Sequence, residues 1–488
     1  MTDRDQRQPH IDKLDPAHAL VIAGERRAGA DGTFEVDDPA TTDTIATVAN
    51  GGVADATAAV DAATAAFPEW SGTAPRERSD VLRRAYEAML DDKDRLVELI
   101  SAENGKSRAD AAGEVVYAAE FFRWFSEEAV RHDGGYAEAP AGGVRNLVTH
   151  KPVGVAALVT PWNFPAAMAT RKLAPALAAG CTTVLKPAAE TPLTALAVSD
   201  LLHEAGVPAG AVNLVPTLDA AGVVSTWLSD ERVRKISFTG STGVGRVLLR
   251  QAADRVVNAS MELGGNAPFV VAEDADLAAA ADGAIIAKFR NAGQACTAAN
   301  RFYVHHSVAE RFLEELTART ARLRVGPAET GADLGPMITR RAADRVEAAV
   351  EQAVAEGATV RFRGERPDAA GYFVPPVLLG DVAPDASIVA DEIFGPVAPV
   401  VVWGTEAELL EMTNASEYGL AAYVFSRDLQ KAIRIAEALD AGMVGVNRGL
   451  VSDPSAPFGG VKQSGLGREG AREGLKEFQE TQYFSVGW

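Results

Sequence analysis

Cys296 is the residue whose surroundings most suggest chemistry. It is one of two cysteines in 488 residues, and it lies in NAGQACTAANR among small and polar residues rather than in an aliphatic run. A thiolate is a strong nucleophile, and a helix N-terminus or a nearby cation would lower the thiol pKa from about 8.5. Most free cysteines are instead small buried hydrophobic residues, which describes Cys181 in LAAGCTTVL well. The polar setting of Cys296 favours a nucleophile.

Two further side chains could assist a nucleophile. Asn163 lies in TPWNFP, just after a predicted strand, where two prolines stiffen the chain. A fixed amide can donate a hydrogen bond to an oxyanion, although an Asx-turn that caps the next helix is the alternative. Glu262, in SMELGGNAP, precedes two glycines, and a carboxylate in a cleft between domains can act as a general base. The alternative for Glu262 is an exposed glutamate at a hinge.

Two segments suggest a phosphate-containing ligand. FTGSTGVGR, residues 238–246, joins a predicted strand to a helix, so its glycines would let the backbone approach a phosphate at the helix N-terminus. Its spacing differs from the usual G-x-G-x-x-G, and a tight strand-to-helix turn explains it equally well. Lys186, in VLKPAAETP, ends a predicted parallel strand and could reach ribose or phosphate oxygens. A surface lysine beside a helix cap is the alternative for Lys186.

The pattern of apolar residues predicts the elements that must position these side chains. From Val53 to about Arg131 the chain reads as helices. From Val153, strands such as VGVAALVTP and TTVLKP alternate with helices, and a second alternating set begins at APFVVAE. Such alternation is typical of parallel sheets covered by helices on both faces. We therefore predict an α/β fold with two doubly wound domains and a break near residues 258–263.

Length and composition exclude several classes of function. A chain of 488 residues exceeds the length of about 300 residues at which single cores stop growing. The net charge of −20 argues against nucleic acid or an anionic membrane as partner, because phosphate binding requires a basic face. The cysteines and the seven histidines show no metal-site spacing, so no metal is expected. The polar N-terminus is unlike a signal peptide and no run suggests a membrane span, which makes the cytoplasm the expected location.

As a set, the motifs resemble the aldehyde dehydrogenase superfamily. They occur in its order and spacing from about residue 20 onwards: TPWNFP, KPAAETP, FTGSTGVG, MELGGNAP, NAGQAC, EIFGPV and PFGGVKQSGLGREG. The resemblance implies a dinucleotide-binding domain of residues 1–131 and 150–260 and a catalytic domain of residues 261–470. It also implies a small β oligomerisation extension, residues 132–149 and 471–488. We expect its segments GGYAEAPAGGVRNLV and TQYFSVGW to pair across the subunits of a homodimer or homotetramer.

The resemblance implies a role for each motif. Cys296 would attack an aldehyde carbonyl, Asn163 and the Cys296 N–H would hold the oxyanion, and Glu262 would activate the thiol or the hydrolytic water. Hydride would pass to a nicotinamide and leave a thioester, which hydrolyses readily. The residues implied in cofactor binding are Thr160, Pro161, Trp162, Lys186, Ala189, Phe238, Gly240, Ser241, Gly245, Leu263, Glu392 and Phe394.

The substrate carboxylate is expected to meet two arginines. FFRWFSEEAVR, FRNAGQACTAANR and NRGLVSDPSAPFGG are most similar to succinate-semialdehyde dehydrogenases, which implies that Arg131, Arg290 and Ser452 bind a carboxylate. A planar guanidinium suits that task because it can pair with both carboxylate oxygens. The alternatives are a surface salt bridge for Arg131, beside Glu127 and Glu128, and a helix C-terminal cation for Arg290. The expected reaction is oxidation of succinate semialdehyde to succinate.

Other functions stay open at this point. Another ω-oxo acid such as glutarate semialdehyde would use the same arginines, since one methylene changes discrimination by only about 1–3 kcal/mol. A non-anionic aldehyde would be the substrate if the arginines point away from the tunnel. Glu262 argues against a CoA-acylating enzyme, which would lack that base. Retention of Cys296, Glu262 and Asn163 argues against a catalytically silent protein.

NADP is favoured as cofactor, with NAD as the alternative. Relatives that prefer NAD often carry a glutamate three residues after the lysine, whereas this chain has Ala189 there and Glu190 one place later. Absence of that carboxylate removes repulsion against a 2′-phosphate. Lys186, with Arg171 or Lys172, could supply positive charge.

Overall fold

A computed structural model describes residues 3–131 and 134–487. The helices are α1 (Asp3–Asp12), α2 (Val53–Gly72), α3 (Pro75–Asp91), α4 (Lys93–Asn104), α5 (Arg108–Glu128), α6 (Pro165–Ala179), α7 (Pro192–Glu204), α8 (Ala220–Ser229), α9 (Thr242–Ala253), α10 (Leu277–Phe289), α11 (Ala309–Thr320), α12 (Arg340–Ala355), α13 (Ser387–Ala390), α14 (Glu406–Asn414), α15 (Leu429–Ala438) and α16 (Ala471–Lys476). The strands are β1 (Leu20–Ile22), β2 (Glu25–Arg27), β3 (Thr33–Asp37), β4 (Thr44–Ala49), β5 (Gly135–Glu138), β6 (Val144–Pro152), β7 (Val155–Val159), β8 (Thr182–Lys186), β9 (Val212–Leu214), β10 (Val233–Thr239), β11 (Asn258–Glu262), β12 (Ala267–Val271), β13 (Ala299–His305), β14 (Thr359–Arg363), β15 (Val377–Gly380), β16 (Val397–Trp403), β17 (Tyr418–Gly419), β18 (Ala421–Phe425), β19 (Met443–Val446), β20 (Val461–Lys462), β21 (Gly465–Leu466) and β22 (Gln479–Gly487).

The first large sheet is built on a parallel centre. Its strand order is β2-β1-β9-β8-β7-β10-β11-β21, and the five central strands, β9 to β11 in that order, run parallel to one another. Every residue of β7 and β8 is buried, as expected for strands with helices on both faces. The carboxyl ends of β7, β8, β10 and β11 therefore lie at one edge of the sheet.

The second large sheet has the order β14-β15-β16-β13-β12-β18-β19. Its strands are parallel except for β14, which pairs antiparallel with β15. A cluster of aromatic rings fills its core, with Phe269 stacked on Phe425 at 4.9 Å between ring centroids. The chain crosses from the end of β11 to the start of β12 within residues 263–266. The predicted α/β architecture, with two helix-covered sheets and a small β extension, is confirmed.

The small β extension differs from the sequence expectation in its pairing. β5 and β6 form the predicted hairpin, but β22 pairs antiparallel with β6 of the same chain, from Gln479 opposite Pro152 to Gly487 opposite Val144. The prediction that these two segments pair with each other across subunits is therefore wrong. β22 and β6 lie side by side, so their backbone N–H and C=O groups pair within one chain and need no second copy.

Two helices that start beside the sheet edge have glutamates at their N-termini. Thr191 is the N-cap of α7 and Pro192 its first residue, as predicted, but the Thr191 side chain makes no capping hydrogen bond. Instead, two N–H groups of the first turn donate to the carboxylate of Glu103 at 2.7 and 2.9 Å. Two N–H groups in the first turn of α6 likewise donate to Glu114 at 2.9 and 3.2 Å. Glu103 in α4 and Glu114 in α5 thus each satisfy the first-turn N–H groups of one of these helices.

Candidate active site

The loops after β7, β8, β10 and β11 converge at the carboxyl edge of the first sheet, where ligands bind in open α/β folds. The Thr160 N–H donates to the Lys186 carbonyl at 3.1 Å and joins the first two loops. The Gly240 N–H donates to the Glu262 carbonyl at 3.0 Å and joins the other two. Asn163 reaches across to the second sheet's loop near Cys296. The motifs separated in sequence therefore line one cleft.

Cys296 follows a tight turn that precedes β13. Asn291 and Ala292 have φ of 50° and 51°, a left-handed conformation that is uncommon outside glycine. Gly265 lies directly against the turn, because a Cβ at that position would be 2.4 Å from the Cys296 carbonyl oxygen. This close approach explains the second glycine of MELGGNAP. The turn that carries the thiol is therefore packed tightly on the connection between the sheets.

Side chains that the sequence did not mark hold the same turn. Gln294 donates through Nε2 to the carbonyls of Asn291 at 3.3 Å and Pro336 at 3.1 Å. The Tyr423 hydroxyl, on β18, donates to the Thr297 carbonyl at 2.8 Å. Only the fold brings Tyr423 to this position, because it lies far along the chain in an ordinary buried strand.

The surroundings of Cys296 favour the protonated form of its thiol. Burial raises its pKa to about 12, and the carboxylates of Glu262 and Glu392 act in the same direction. Arg171 and Arg290 lower this pKa, as the sequence expectation of a nearby cation required, but desolvation outweighs them. Activation of the thiol therefore needs a base rather than a permanently lowered pKa.

Glu262 and Glu469 form a pair of buried carboxyl groups with opposite pKa shifts. Neither carboxylate oxygen of Glu262 has a hydrogen-bond partner among the described residues. Burial raises the pKa of Glu262 well above 4.5, and Glu469 raises it further. Although burial opposes it, Lys172 and Arg171 lower the pKa of Glu469, at 2.5 and 3.5 Å from its oxygens. The ionised form is thus favoured at Glu469 and the protonated form at Glu262.

Substitution Glu469→Gln is expected to move the acid limb of the kcat/KM pH profile to lower pH. The change removes a negative charge that disfavours ionised Glu262, and it frees Lys172 and Arg171 to stabilise that carboxylate. Both effects lower the pKa of Glu262, so the base form persists at more acidic pH. The matched control is Glu480→Gln, since Glu480 is exposed and lies near Arg234 at 4.0 Å. An unchanged limb, or a shift to higher pH, would contradict the assigned coupling.

Asn163 is held at both its backbone and its side chain. Its carbonyl accepts hydrogen bonds from Lys106 Nζ at 2.7 Å and Asn291 Nδ2 at 2.9 Å. Its own Nδ2 donates to the Gln294 carbonyl at 3.1 Å, which leaves the second N–H of the amide for a ligand. The helix-capping alternative does not apply, because the first turn of α6 is satisfied by Glu114. The geometry suits an oxyanion donor.

A nicotinamide dinucleotide fits the groups at the ends of β8 and β10. Lys186 is 7% exposed, and burial lowers its pKa, so an anionic or polyhydroxyl ligand would satisfy it. The Thr239 hydroxyl is buried and has no partner among the described residues. Ser241 caps α9, and Gly245 must lack a side chain because a Cβ there would be 2.4 Å from Leu263. Unused donors beside an unobstructed helix N-terminus match the chemistry of ribose and phosphate.

The second domain contributes residues to the opposite wall of the cleft. Glu392 accepts a hydrogen bond from the Gly265 N–H at 3.2 Å, and burial raises its pKa to about 7. Phe394 meets Trp162 edge to face, with ring centroids 5.6 Å apart. Other residues implied in cofactor binding lie on the first-domain loops: Thr160 and Pro161 after β7, Ala189 after β8, and Phe238 and Gly240 at the end of β10.

Arg131 does not reach the site, contrary to the sequence expectation. It is exposed just beyond the end of α5, where its guanidinium pairs with Glu128 at 2.5 Å and Glu127 at 3.5 Å. Tyr117, which contacts Arg171 from α5, precedes Arg131 by 14 residues, or about 20 Å at 1.5 Å per helical residue. The acidic last turn of α5 captures the arginine at the surface.

Arg171 takes the place expected for Arg131. Its guanidinium is buried, 4.0 Å above the Phe458 ring, and it donates to the Tyr117 hydroxyl at 2.5 Å. Its Nε is buried with no partner among the described residues. Arg290 lies 5.2 Å from the Phe164 ring. The positive charges of Arg171 and Arg290 both lower the pKa of the Cys296 thiol.

The assignment of Arg171 or Lys172 to a 2′-phosphate is also wrong. Both side chains are buried beside Glu469, on the catalytic side of α6. The sequence did contain a sign that Arg171 faces the same side as TPWNFP. Positions i and i+7 of a helix share a face, and Phe164 precedes Arg171 by that spacing.

Ser452 and Cys181 are the remaining residues that the sequence singled out. Ser452 is partly exposed on the loop that connects β19 to Phe458, and its role stays a prediction. Cys181 is fully buried, donates to the Phe478 carbonyl at 3.3 Å, and has its pKa raised to about 11 by burial. It is a buried structural residue, as predicted.

The described residues contain neither a metal-binding cluster nor a helix that could span a membrane. Among residues 3–131 and 134–487, no group of at least three His, Cys, Asp or Glu side chains could hold a metal ion. Across the same residues, no helix has the length and apolar character that crossing a membrane requires.

Comparison with known proteins agrees with this geometry. The model of the "Aldehyde dehydrogenase family" matches residues 27–484. A succinate-semialdehyde dehydrogenase of Paenarthrobacter nicotinovorans is 51% identical over 91% of this chain and 98% of its own length. A glutarate-semialdehyde dehydrogenase of Pseudomonas putida is 46% identical over 93% and 94%. A crystal structure described as an E. coli NADP-dependent enzyme superposes with a TM-score of 0.95 at 43% identity, over 98% and 99% of the two chains. The chain therefore belongs to the aldehyde dehydrogenase family.

Proposed function

We propose that this chain oxidises an aldehyde that carries a carboxylate, with succinate semialdehyde as its main substrate. The observation that carries the proposal is a pair of guanidinium groups, Arg171 over Phe458 and Arg290 over Phe164, whose charges both act on the Cys296 thiol. The two similar proteins named above act on succinate semialdehyde and glutarate semialdehyde, both of which are ω-oxo acids. A neutral aldehyde would offer neither guanidinium group a charged acceptor, whereas a carboxylate can accept hydrogen bonds from both.

The two arginines differ in their protein partners. Arg171 already faces Glu469 at 3.5 Å, yet its Nε stays buried and unbonded. Arg290 packs on Phe164, and no ion pair of Arg290 is found among the described residues. A substrate carboxylate would supply acceptors for both. Ser452 is proposed to add a hydroxyl donor to the same carboxylate.

The chain's own residues carry out the proton and acyl transfers. Glu262 takes the proton of the Cys296 thiol, and the thiolate adds to the aldehyde carbon. The free N–H of Asn163 and the Cys296 N–H stabilise the resulting oxyanion. When bound, the nicotinamide supplies the hydride acceptor for oxidation to the thioester. Once Glu262 has released the thiol proton to solvent, it accepts a proton from the water that attacks the thioester. It then returns this proton to the departing sulfur, which gives the carboxylic acid and the Cys296 thiol.

NADP is proposed as the preferred dinucleotide. Lys186 would hold the adenosine ribose region, Ser241 and Gly245 the phosphates, and Glu392 and Phe394 the nicotinamide end. Ala189 presents no carboxylate that would repel a 2′-phosphate, and it is partly exposed at the mouth of this region. The similar E. coli enzyme is described as NADP dependent.

Glutarate semialdehyde is the second candidate substrate. The relative that is 46% identical is a glutarate-semialdehyde dehydrogenase. Arg171 and Arg290 would bind the carboxylate of glutarate semialdehyde in the same way. One additional methylene changes binding by only about 1–3 kcal/mol, so both oxo acids are expected to react at measurable rates.

Substitution Arg290→Ala is expected to lower kcat/KM for succinate semialdehyde by about 10- to 100-fold, since a charged hydrogen bond contributes about 1.5–3 kcal/mol. The kcat/KM for butanal should change little, because butanal has no carboxylate to lose. The assay follows absorbance of the reduced dinucleotide, with NAD and NADP, for succinate semialdehyde, glutarate semialdehyde and butanal.

Arg131→Ala is the matched control for this experiment. Its side chain is exposed and paired with Glu128, so the variant should retain the wild-type preference for oxo acids. The proposal is refuted if butanal matches the oxo acids in the wild type, or if Arg290→Ala leaves their advantage intact.

We further propose that the chain forms at least a homodimer through the sheet of β5, β6 and β22. This small sheet exposes Tyr136 and Tyr483, which are 63% and 56% accessible. Large exposed aromatic residues on a thin sheet are typical of a surface that a partner subunit covers.

A further inference from the structure

A fully buried lysine lies beneath the proposed oxyanion site and takes no part in the mechanism described above. Lys106 Nζ pairs with Glu114 at 2.6 Å, and both side chains are completely inaccessible. Burial of an ion pair is costly unless every donor is satisfied. Nζ also donates to the Asn163 carbonyl at 2.7 Å and lies 4.0 Å from the centroid of the Phe164 ring. All three N–H directions of the ammonium are therefore used, and two of them are directed at residues 163–164.

Lys106 belongs to a short segment that braces both cleft loops. Glu103 accepts the first-turn N–H groups of α7. Asn104 Nδ2 donates to the Trp162 carbonyl at 3.0 Å. Gly105 is in close contact with the segment before α12, because a Cβ there would be 2.6 Å from Pro336. Residues 103–106, ENGK in the sequence, thus link the loops after β7 and β8 to the catalytic domain.

The same contacts connect Asn163 with the thiol-bearing turn. The Asn163 carbonyl is held between Lys106 Nζ and Asn291 Nδ2, and its amide is held by the Gln294 carbonyl. On the Phe164 ring, Lys106 and Arg290 are both within cation–π distance, at 4.0 and 5.2 Å. The orientation of the Asn163 amide relative to Cys296 therefore depends on where the ammonium holds this peptide.

We infer that Lys106 is a positioning residue that acts on the reaction through Asn163, fixing the peptide whose amide stabilises the oxyanion. The inference rests on the oxyanion role of Asn163 in the proposed function. It does not depend on the substrate's carboxylate, because the oxyanion forms on any aldehyde. Loss of Lys106 should therefore affect succinate semialdehyde and butanal equally, unlike loss of Arg290.

The test is a double-mutant cycle between Lys106→Met and Asn163→Ala, with kcat measured for both aldehydes. Lys106→Met alone is expected to lower kcat by about 10- to 100-fold, since misplacement of a catalytic group by about 1 Å costs roughly 100-fold. KM for the dinucleotide should stay within about twofold, because the change misplaces a group that acts in the transition state. In the Asn163→Ala background, Lys106→Met should lower kcat by less than about twofold, because the residue it positions is already gone.

Two further variants separate positioning from general stability. Lys106→Met/Glu114→Gln removes both charges, so that no unpaired ion stays buried, and should show the same kcat loss and the same dependence on Asn163. Lys235→Met removes an equally buried lysine, paired with Glu477 at 3.0 Å, near the opposite end of β10. It should lower the melting temperature while leaving kcat near the wild-type value.

Two results would overturn the inference. One is a Lys106→Met loss that multiplies fully with Asn163→Ala, which would mean that the lysine acts elsewhere. The other is failure of both Lys106 variants to fold, which would make its role structural. If Asn163→Ala by itself leaves kcat unchanged, the oxyanion assignment in the proposed function fails, and that result is visible before Lys106 is changed.

Discussion

Substitution of Cys296 by alanine is expected to abolish aldehyde oxidation, with kcat/KM reduced by about ten thousandfold or more. The thiol is the nucleophile that the proposed pathway requires, and the second cysteine, Cys181, is buried beneath Phe478 in the first domain. The charges of neighbouring groups act on this thiol: Arg171 and Arg290 lower its pKa, and burial raises the pKa of Glu262. Without sulfur, neither a thiohemiacetal nor a thioester can form.

The measurement is steady-state formation of reduced dinucleotide by Cys296→Ala, with dinucleotide affinity determined by fluorescence as a folding control. Affinity should stay within about threefold of the wild type, since the cofactor residues lie on other loops. The matched variant Cys181→Ala should keep kcat near wild type and lower the melting temperature, because it leaves a small cavity. Residual oxidation by Cys296→Ala above about one-hundredth of the wild-type rate would contradict covalent catalysis at this residue.

Substitution Glu262→Gln is expected to lower kcat by about 100- to 10,000-fold, the usual range for loss of a general base. Glu262 is buried, and within the part of the chain that the structure describes neither of its carboxylate oxygens has a hydrogen-bond partner. It is therefore available to the thiol and to water. With a thiol pKa of about 12, a neutral amide cannot replace it. The isosteric change preserves volume, which keeps the effect chemical rather than structural.

Two rapid measurements assign this loss to individual steps. Stopped-flow mixing reports the first turnover, and intact-protein mass spectrometry reports the acyl group on Cys296. A burst of reduced dinucleotide followed by accumulated acyl-enzyme would place the base in deacylation. A slow first turnover without acyl-enzyme would place it in thiol activation. A variant with wild-type kcat at neutral pH would exclude Glu262 as the base.

Much of the fold and the site could be predicted from local patterns. Alternating apolar runs predicted the two parallel sheets because a buried parallel strand requires a continuous apolar stretch. Cys296, Asn163 and Glu262 stood out because polar or reactive residues directly after a strand or beside glycines seldom serve packing alone. The Thr191–Pro192 start of α7 was also predicted, although its N–H groups use Glu103 rather than the threonine hydroxyl.

The errors share one physical cause, which is that charge pairing is decided in three dimensions. Arg131 was assigned to the site, but the last turn of α5 holds it at the surface. Arg171 and Lys172 were assigned to a phosphate, but both meet Glu469, nearly 300 residues later in the chain. β22 was expected to need another subunit, yet it finds β6 within its own chain. Such pairs have no signature in a local window of sequence.

The sequence alone therefore determined the fold class, because alternating apolar runs are local. The resemblance of its motifs marked Cys296, Asn163 and Glu262 as candidates for the nucleophile, the oxyanion donor and the base. Tertiary structure decided their electrostatics. Desolvation raises the pKa of Cys296, although Arg171 and Arg290 lower it. The negative charge of Glu469 raises the pKa of Glu262, which neither motif indicates. Burial and distant charges set these pKa values, and both exist only after the two sheets and the loops between them have packed together.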